Sequence, residues 1–260
     1  MNINGYPRQF IESKDDELLV ARVFDAVRLA QSGGRVRTVG FLDERQKNIA
    51  TVAVQSIGFK NACFFGGYDS AERTVMAALP DGIPYSEKVF GIKAVRFSFR
   101  RQDTLSHRDF LGALMSLMIE RQLIGDIIVG SGEAIVYVIG RIADDIVATV
   151  NKVGRVGVRP EIFEGVTESA ERRFSEISGF VSSCRIDCIL SVAVSKSRES
   201  ASRMIDSKIV FVNSALCEDR AARINEGDKI SVRGYGKYIV DSFGQTTKKG
   251  RYPVLIKKYI

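Results

Sequence analysis

Residues 184–214 read C-R-I-D-C-I-L-S-V-A-V-S-K-S-R-E-S-A-S-R-M-I-D-S-K-I-V-F-V-N-S, and this stretch decides how the C-terminal part of the chain is read. Its spacing predicts two short helices, Ile186 to Val194 and Arg198 to Ser207. Ser197 is placed to cap the second, leaving free backbone N–H groups that suit a phosphate, and Arg198 occupies the first helical position beside them. Arg185 opens the first helix, and Lys196, Arg203 and Lys208 extend the charge. Ile189, Ala201, Met204 and Ile205 supply an inward face, and Cys188 falls on the apolar side of its helix. Strands are predicted at Ile209 to Val212, near Leu216, at Lys229 to Arg233, at Tyr238 to Val240 and at Val254 to Tyr259, with turns at Asn213-Ser214 and Asn225 to Asp228. The picture is two helices on a small twisted sheet. Basic side chains outside and apolar ones inside are what an RNA-docking helix pair requires; the plainer alternative is a helix pair with a solvated basic side.

Charge separates this region from the rest. Residues 1 to 180 hold 23 Lys and Arg against 23 Asp and Glu, whereas residues 181 to 260 hold 15 against 8, so the whole excess of seven positive charges lies in the last 80 residues. Such asymmetry points to a polyanion partner, because each phosphate neutralised releases condensed counterions. A solubilising basic surface is the plainer reading of charge alone. Hydrophobic residues at 45% and charged ones at 27% give the balance of a folded soluble protein. No apolar run approaches the roughly 20 residues of a bilayer helix, and the first residues lack the pattern of a secretion signal. The expectation is a cytoplasmic protein without a membrane partner, its four cysteines reduced.

Outward from the basic region, residues 83 to 180 alternate as strand Val89 to Phe99, helix Ser106 to Gln122, strands Asp126 to Val129 and Ala134 to Ile139, helix Asp144 to Val153, and a short strand near Val156 to Val158. This is the β-α-β-β-α-β order shared by ferredoxin-like and RNA-recognition-motif-like domains. Ser106 and Asp109 cap the long helix, whose Phe110, Leu114, Leu117 and Met118 form an apolar stripe. Glu161 to Ser178 reads as a connector. Residues 1 to 82 read as an α/β domain: helix Asp15 to Ala30, strand Val36 to Phe41, a helix capped by Asp43 with Gln46 and ending near Ser56, strand Ala62 to Phe65, and helix Ser70 to Leu79. The turn-rich Pro80 to Pro84 closes it. The expected architecture is α+β and multidomain, with domains at 1–82, 83–180 and 181–260.

Much chemistry is missing. The single histidine, His107, cannot furnish a two-His metal site, and most Ser or Cys triads need an imidazole in a setting it does not offer. It sits in a first helical turn as a capping or solvent-facing residue. Cys184, Cys188 and Cys217, with Cys63 or His107 from elsewhere, do not have zinc-knuckle spacing. Gly130-Ser131-Gly132 and Gly234-Tyr235-Gly236 read as turns, and no phosphate-binding Gly-x-x-x-x-Gly-Lys-Ser/Thr loop exists. The expectation is a protein with no catalytic residue, cofactor, metal or small-molecule substrate.

The motifs Arg185-Ile186-Asp187, Ser197-Arg198, Ala201, Met204-Ile205, Val210, Val212-Asn213 and Glu226-Gly227-Asp228 resemble the S4 RNA-binding domain. Gly40-Phe41-Leu42-Asp43, His107 through Leu117, Gly125-Asp126-Ile127 and Ser231 through Gly236 extend the resemblance to the YlmH family, also known as photosystem II S4 domain proteins. That resemblance implies a bacterial protein with an N-terminal domain, an RNA-recognition-motif-like middle and a C-terminal S4 domain. It also implies association with the large ribosomal subunit, with tRNA and ribosomal RNA, in rescue of stalled translation, and a link to cell division. Arg185, Lys196, Ser197, Arg198, Arg203, Lys208, Asn213, Arg233 and Lys237 form the candidate RNA-binding set.

Two departures touch the S4 motifs: Ser214 stands where glycine usually follows Asn213, and Ile186 where leucine is usual. The middle region lacks the basic-aromatic signature of base-stacking motifs, and core packing accounts for Phe97 and Phe99, which share a strand face. Gly112 to Ser116 marks close helix packing. Three readings stand. The first is a non-catalytic RNA-binding factor at the ribosome. The second is an RNA-modifying enzyme, since Arg185-Ile186-Asp187 superficially resembles the catalytic triplet of pseudouridine synthases but lacks its following run. The third is a cell-division scaffold that binds protein partners. The sequence leaves the oligomeric state open. Arg198→Ala is expected to weaken RNA binding without unfolding the protein, and Arg172→Ala to leave binding unchanged.

Overall fold

The structure, a computed structural model, describes residues 11, 13–164, 174–213, 215–247 and 250–259. The chain divides into two units, Met1–Ala170 and Glu171–Ile260. The first begins with α1 (Lys14–Gly33), started by a reciprocal cap: Ser13 Oγ accepts the Asp16 N–H at 3.2 Å and Asp16 Oδ2 accepts the Ser13 N–H at 3.0 Å. The buried Asp16 carboxylate also takes both Arg45 nitrogens, at 2.6 and 2.7 Å, which ties α1 to α2 (Glu44–Ser56). Asp43 and Gln46 cap α2 in the same reciprocal way.

Between and after these helices run β1 (Arg37–Leu42), β2 (Ala62–Phe65) and β3 (Thr74–Ala78), an antiparallel sheet in the order β1-β3-β2. The helix expected over Ser70 to Leu79 is therefore a correction: this segment holds the central strand. Every residue from Thr74 to Ala78 is buried, because helices cover one face and a second sheet covers the other. A strand apolar on both faces carries no alternation to separate it from a buried helix.

The second sheet is built from β4 (Ile92–Ser98), β5 (Ile124–Val129), β6 (Glu133–Ile139) and β9 (Arg159–Phe163), in the order β5-β6-β4-β9, with antiparallel neighbours throughout. Helix α3 (His107–Ser116) joins β4 to β5, and α4 (Ala143–Thr149) follows β6. A small hairpin of β7 (Lys152–Val153) and β8 (Val156–Gly157) precedes β9. Helix α3 is shorter than the expected span to Gln122. Leu117 closes it, and Met118 has φ +60 and is 90% exposed, so Leu117 and Met118 leave the apolar stripe that Phe110 and Leu114 keep.

Alternation along the strands sorts the core into layers. Val95, Phe97, Val136, Val138 and Ile127 turn toward α3 and α4, with Phe97 packed 5.3 Å from the Phe110 ring. Ile135 and Tyr137 of β6 turn the other way, onto Phe41, Val75 and Ala77 of the first sheet. Val39, Met76 and Ala78 then face α1 and α2. The first unit is a helix-sheet-sheet-helix sandwich whose two sheets bury one face against each other.

The second unit is a single antiparallel sheet with one helix pair. Its strands are β10 (Phe174–Val181), β11 (Val210–Val212), β12 (Ala215–Leu216), β13 (Lys229–Val232), β14 (Gly236–Phe243) and β15 (Tyr252–Tyr259), in the order β10-β15-β14-β13-β11-β12. The connector expected over Glu161 to Ser178 is corrected at both ends, since β9 fills its start and β10 its finish, while residues 165–173, Arg172 among them, lie outside the described residues. Helices α5 (Ile186–Ala193) and α6 (Arg198–Asp206) pack Ile186, Ile189, Leu190, Ala201 and Ile205 onto Ile230, Val232, Tyr238, Val240 and Ile256. Cys188 belongs to that core. The opposite sheet face carries Glu176, Ser178 and Phe180 of β10, Leu255 and Lys257 of β15, and Ile239 of β14, none of them buried.

Candidate nucleic-acid interface

The helix pair is organised around a carboxylate. Asp187, the second residue of α5, is 3% exposed, and its Oδ2 accepts Arg198 Nε at 2.9 Å while Arg185 Nε reaches Oδ1 at 3.2 Å. Burial works against the charged form of Asp187, but hydrogen bonds from Arg198 and then Arg185 outweigh it and hold the carboxyl below its usual range. The two arginine side chains remain 52% and 42% exposed. One negative charge thus fixes two guanidinium groups side by side where α5 and α6 begin. The pair keeps a net positive charge, with each guanidinium half in water.

This geometry corrects the expectation for Arg198. It does occupy the first position of α6, and Ser197 Oγ does accept the Ser200 N–H, at 3.1 Å. Its guanidinium, however, turns onto Asp187, so Arg198 also neutralises a buried charge, and its loss acts on stability as well as on any ligand. Lys196 is exposed beside the cap. Arg203 is exposed on the next turn and lies 3.8 Å from Glu199, a surface pair too long to fix it firmly. Lys208, at φ +56 after α6, sits 2.6 Å from the exposed Glu218.

The remaining candidates fall elsewhere. Asn213 works within the fold: at φ +49 its Nδ2 donates to Asp228 Oδ1 and its Oδ1 accepts the Lys229 N–H, both at 2.9 Å. Asparagine tolerates that left-handed backbone, and its amide then closes the hairpin. Ser214, the other half of the expected turn, lies outside the described residues. Glu226-Gly227-Asp228 is likewise a built turn, in which Glu226 accepts the Phe243 N–H at 2.7 Å and Asp228 the Asn225 N–H at 2.8 Å. Lys237 pairs in register with Ser231, on the strand face opposite the buried Tyr238, and Arg233 stands 4.9 Å over the Phe211 ring. Strand alternation puts Phe211 and Lys237 on the sheet face away from the helices, so the candidate set divides between two faces.

Sequence reasoning missed the role of Asp187, which was legible only as part of a triplet; its partner Arg198 comes from the next helix. His107 is exposed at the first position of α3, where Asp109 accepts the Ser106 N–H at 2.8 Å. Cys217 is buried with its thiol raised by burial, donating to Asp219 O at 3.5 Å. Among the described residues no group of three or more His, Cys, Asp or Glu is arranged to hold a metal ion, and no helix is long and apolar enough to cross a membrane.

Residues 86–164, from just before β4 to the end of β9, match the family model described as "Putative RNA-binding domain in YlmH", so the second sheet and its helices fall in that class of domain. The chain is also 29% identical over 249 residues to "Ribosome-associated protein quality control protein P2" of Bacillus subtilis (strain 168), which covers 94% of this chain and 96% of the relative. The chain is thus similar to YlmH over residues 86–164 and to this relative over nearly its full length. Among solved structures it resembles "Cell division protein ylmH from Streptococcus pneumoniae" with a TM-score of 0.53 and 18% identity, over 61% of this chain and 96% of the other. At that identity the likeness is one of fold.

Proposed function

We propose that this protein is a non-catalytic RNA-binding factor of the ribosome whose second unit is an S4 domain gripping phosphates of ribosomal RNA or tRNA. The observation that carries the reading is the Asp187 clamp, which presents Arg185 and Arg198 together, half exposed, at the start of two helices. Charge-assisted arginine forks of this kind suit phosphate oxygens. Lys196, Ser197, Arg203 and Lys208 continue the contact, and Arg233 and Lys237 reach RNA from the other sheet face. The relative named for ribosome-associated protein quality control supports a role at the ribosome; in this reading the place is the large subunit, the task rescue of stalled translation, and the location cytoplasmic.

In the same reading residues 1–82 are an α/β domain and the segment from 83 an RNA-recognition-motif-like domain, with β10 assigned to the S4 domain rather than to the middle one. An RNA-modifying reaction of the pseudouridine synthase kind would need an accessible carboxylate. Asp187 is buried and occupied by two arginines, which favours the non-catalytic reading.

The test separates the units between residues 170 and 171, because a cut at 181 would remove β10 from its sheet. Fragment 171–260 is expected to bind tRNA and a ribosomal RNA fragment with most of the affinity of the full chain, and fragment 1–170 far less. The binding constant should fall as salt rises, with a logarithmic slope near −0.9 per phosphate contacted. Equal affinity of the two fragments, or a salt-independent complex, would overturn the proposal.

A further inference from the structure

Three arginines of the first unit converge on one cavity of about 330 Å³: Arg22 from α1, Arg73 just before β3, and Arg121 in the turn before β5. Among the described residues none of the three forms an ion pair. Arg73 donates to backbone carbonyls, reaching Ile124 O at 3.1 Å and Phe41 O at 2.7 Å, and Arg121 donates to Ile124 O at 2.6 Å. Arg22 donates only to the Gln122 side chain.

The carboxylates of this place are engaged with other donors: Glu120, on the cavity lining, accepts the Gln122 side-chain amide. Asp43 accepts the Gln46 N–H at the start of α2, and Asp126 accepts Tyr68 Oη and the Glu72 N–H, each at 2.7 Å, together with the Arg73 N–H. Burial first and the charge of Arg73 second push Arg121 down to about 10, and burial lowers Arg73 as well. Both stay protonated at neutral pH, and the charges of Asp43 and Asp126 offset the repulsion in part, but among the described residues neither guanidinium is bonded directly to a carboxylate.

Two segments that carry the family resemblance build this place. A Cβ on Gly40 would lie 2.5 Å from the Gln122 carbonyl oxygen, and one on Gly125 would lie 2.5 Å from the Phe41 ring, so both glycines are needed for the segments to meet. The sheet face by which RNA-recognition motifs hold bases is closed here, since Ile135 and Tyr137 are packed against the first sheet. The arginine cavity lies at the edge of that same domain.

We propose that the cavity is a phosphate-binding site, taking the phosphate group of either a small phosphorylated molecule or an RNA backbone, with Arg22, Arg73 and Arg121 as its ligands. Three arginines against Asp43 and Glu120 leave the cavity lining with an excess of positive charge, and an anion there gives the guanidinium forks the direct charge partner they lack. Every residue of the site belongs to the first unit, so the proposal does not depend on the C-terminal interface.

The experiment titrates the full chain at constant ionic strength with inorganic phosphate, a nucleoside monophosphate and a short single-stranded RNA, each compared between the parent, Arg22→Ala and Arg121→Gln. Arg22 is exposed on α1, so its variant keeps the fold even if Arg121→Gln loosens the turn. Phosphate is expected to raise the melting temperature of the parent and to bind about tenfold more weakly to each variant. RNA also meets the C-terminal face, so the RNA arm is read as the difference between parent and variants. A larger loss with the mononucleotide identifies a small phosphorylated molecule, and a larger loss with RNA identifies a backbone phosphate. Phosphate binding that is absent, or the same in parent and both variants, overturns the proposal. Failure of the C-terminal fragment to bind RNA leaves this result untouched.

Discussion

In the first unit each sheet has helices on one face and the other sheet on its second face; in the second unit one sheet has helices on one face and water on the other. The first arrangement buries both faces of the central strands β3 and β6 and leaves edges, turns and the arginine cavity as places where a ligand can reach. The second leaves a whole sheet face and the outer side of a helix pair, and the excess positive charge of the chain falls within residues 181–260 of this unit. A domain matched to an RNA-binding model is therefore not an exposed platform in this protein, whereas the smaller unit is. Charge follows the surface that packing leaves available.

The sharpest way to break this contrast is to remove a side chain from between the two sheets. Phe41→Ala should destabilise the first unit by about 3 to 5 kcal/mol, since the ring is almost fully buried between them. Its check is the denaturant midpoint of the first unit, and a change below about 1 kcal/mol would mean the sheets are not packed as described.

Next in size is Asp187→Asn in the second unit. It exchanges two charge-assisted hydrogen bonds for neutral ones, a loss of about 1 to 3 kcal/mol. Because the folded carboxyl sits below its ordinary value, its contribution is complete above the unfolded value near about pH 4 and disappears as pH falls through the lower folded value. The parent should lose stability on acidification through that window more steeply than Asp187→Asn, measured by denaturant titrations on each side of it. Parallel profiles would show that the carboxylate is not clamped.

The smallest effect should come from Phe180→Ala. That ring is 61% exposed on the open sheet face, so stability should move by less than about 0.5 kcal/mol by the same denaturant measurement. A larger loss would mean the face is covered after all.

Local chemistry was legible in the sequence and long-range pairing was not. Asp43 with Gln46, and Ser197 at the start of α6, were readable because a cap is complete within four residues. The inward residues Ile189, Ala201 and Ile205 followed from helical spacing. Thr74 to Ala78 was misread because its apolar run has no period, and β10 was overlooked because Gly179 and the charged residues before it blur the alternation. Gly179 has its own reason, since a Cβ there would meet Val192 of α5 at 2.5 Å. The Asp187 clamp and the arginine cavity each join residues from separate elements, and no local pattern announces such a meeting.

The pairing of β10 with β15 reaches beyond stability. Phe174 stands opposite Tyr259 and Val181 opposite Tyr252, so the first and last strands of the second unit lie side by side for their full length. A unit whose entry and exit are neighbours is portable: it can be spliced beside another domain, inserted into a loop or circularly permuted without rerouting its interior. The same closure demands that residues far apart in the chain find each other before the sheet is whole, and non-local pairings of this kind raise the contact order on which folding speed depends.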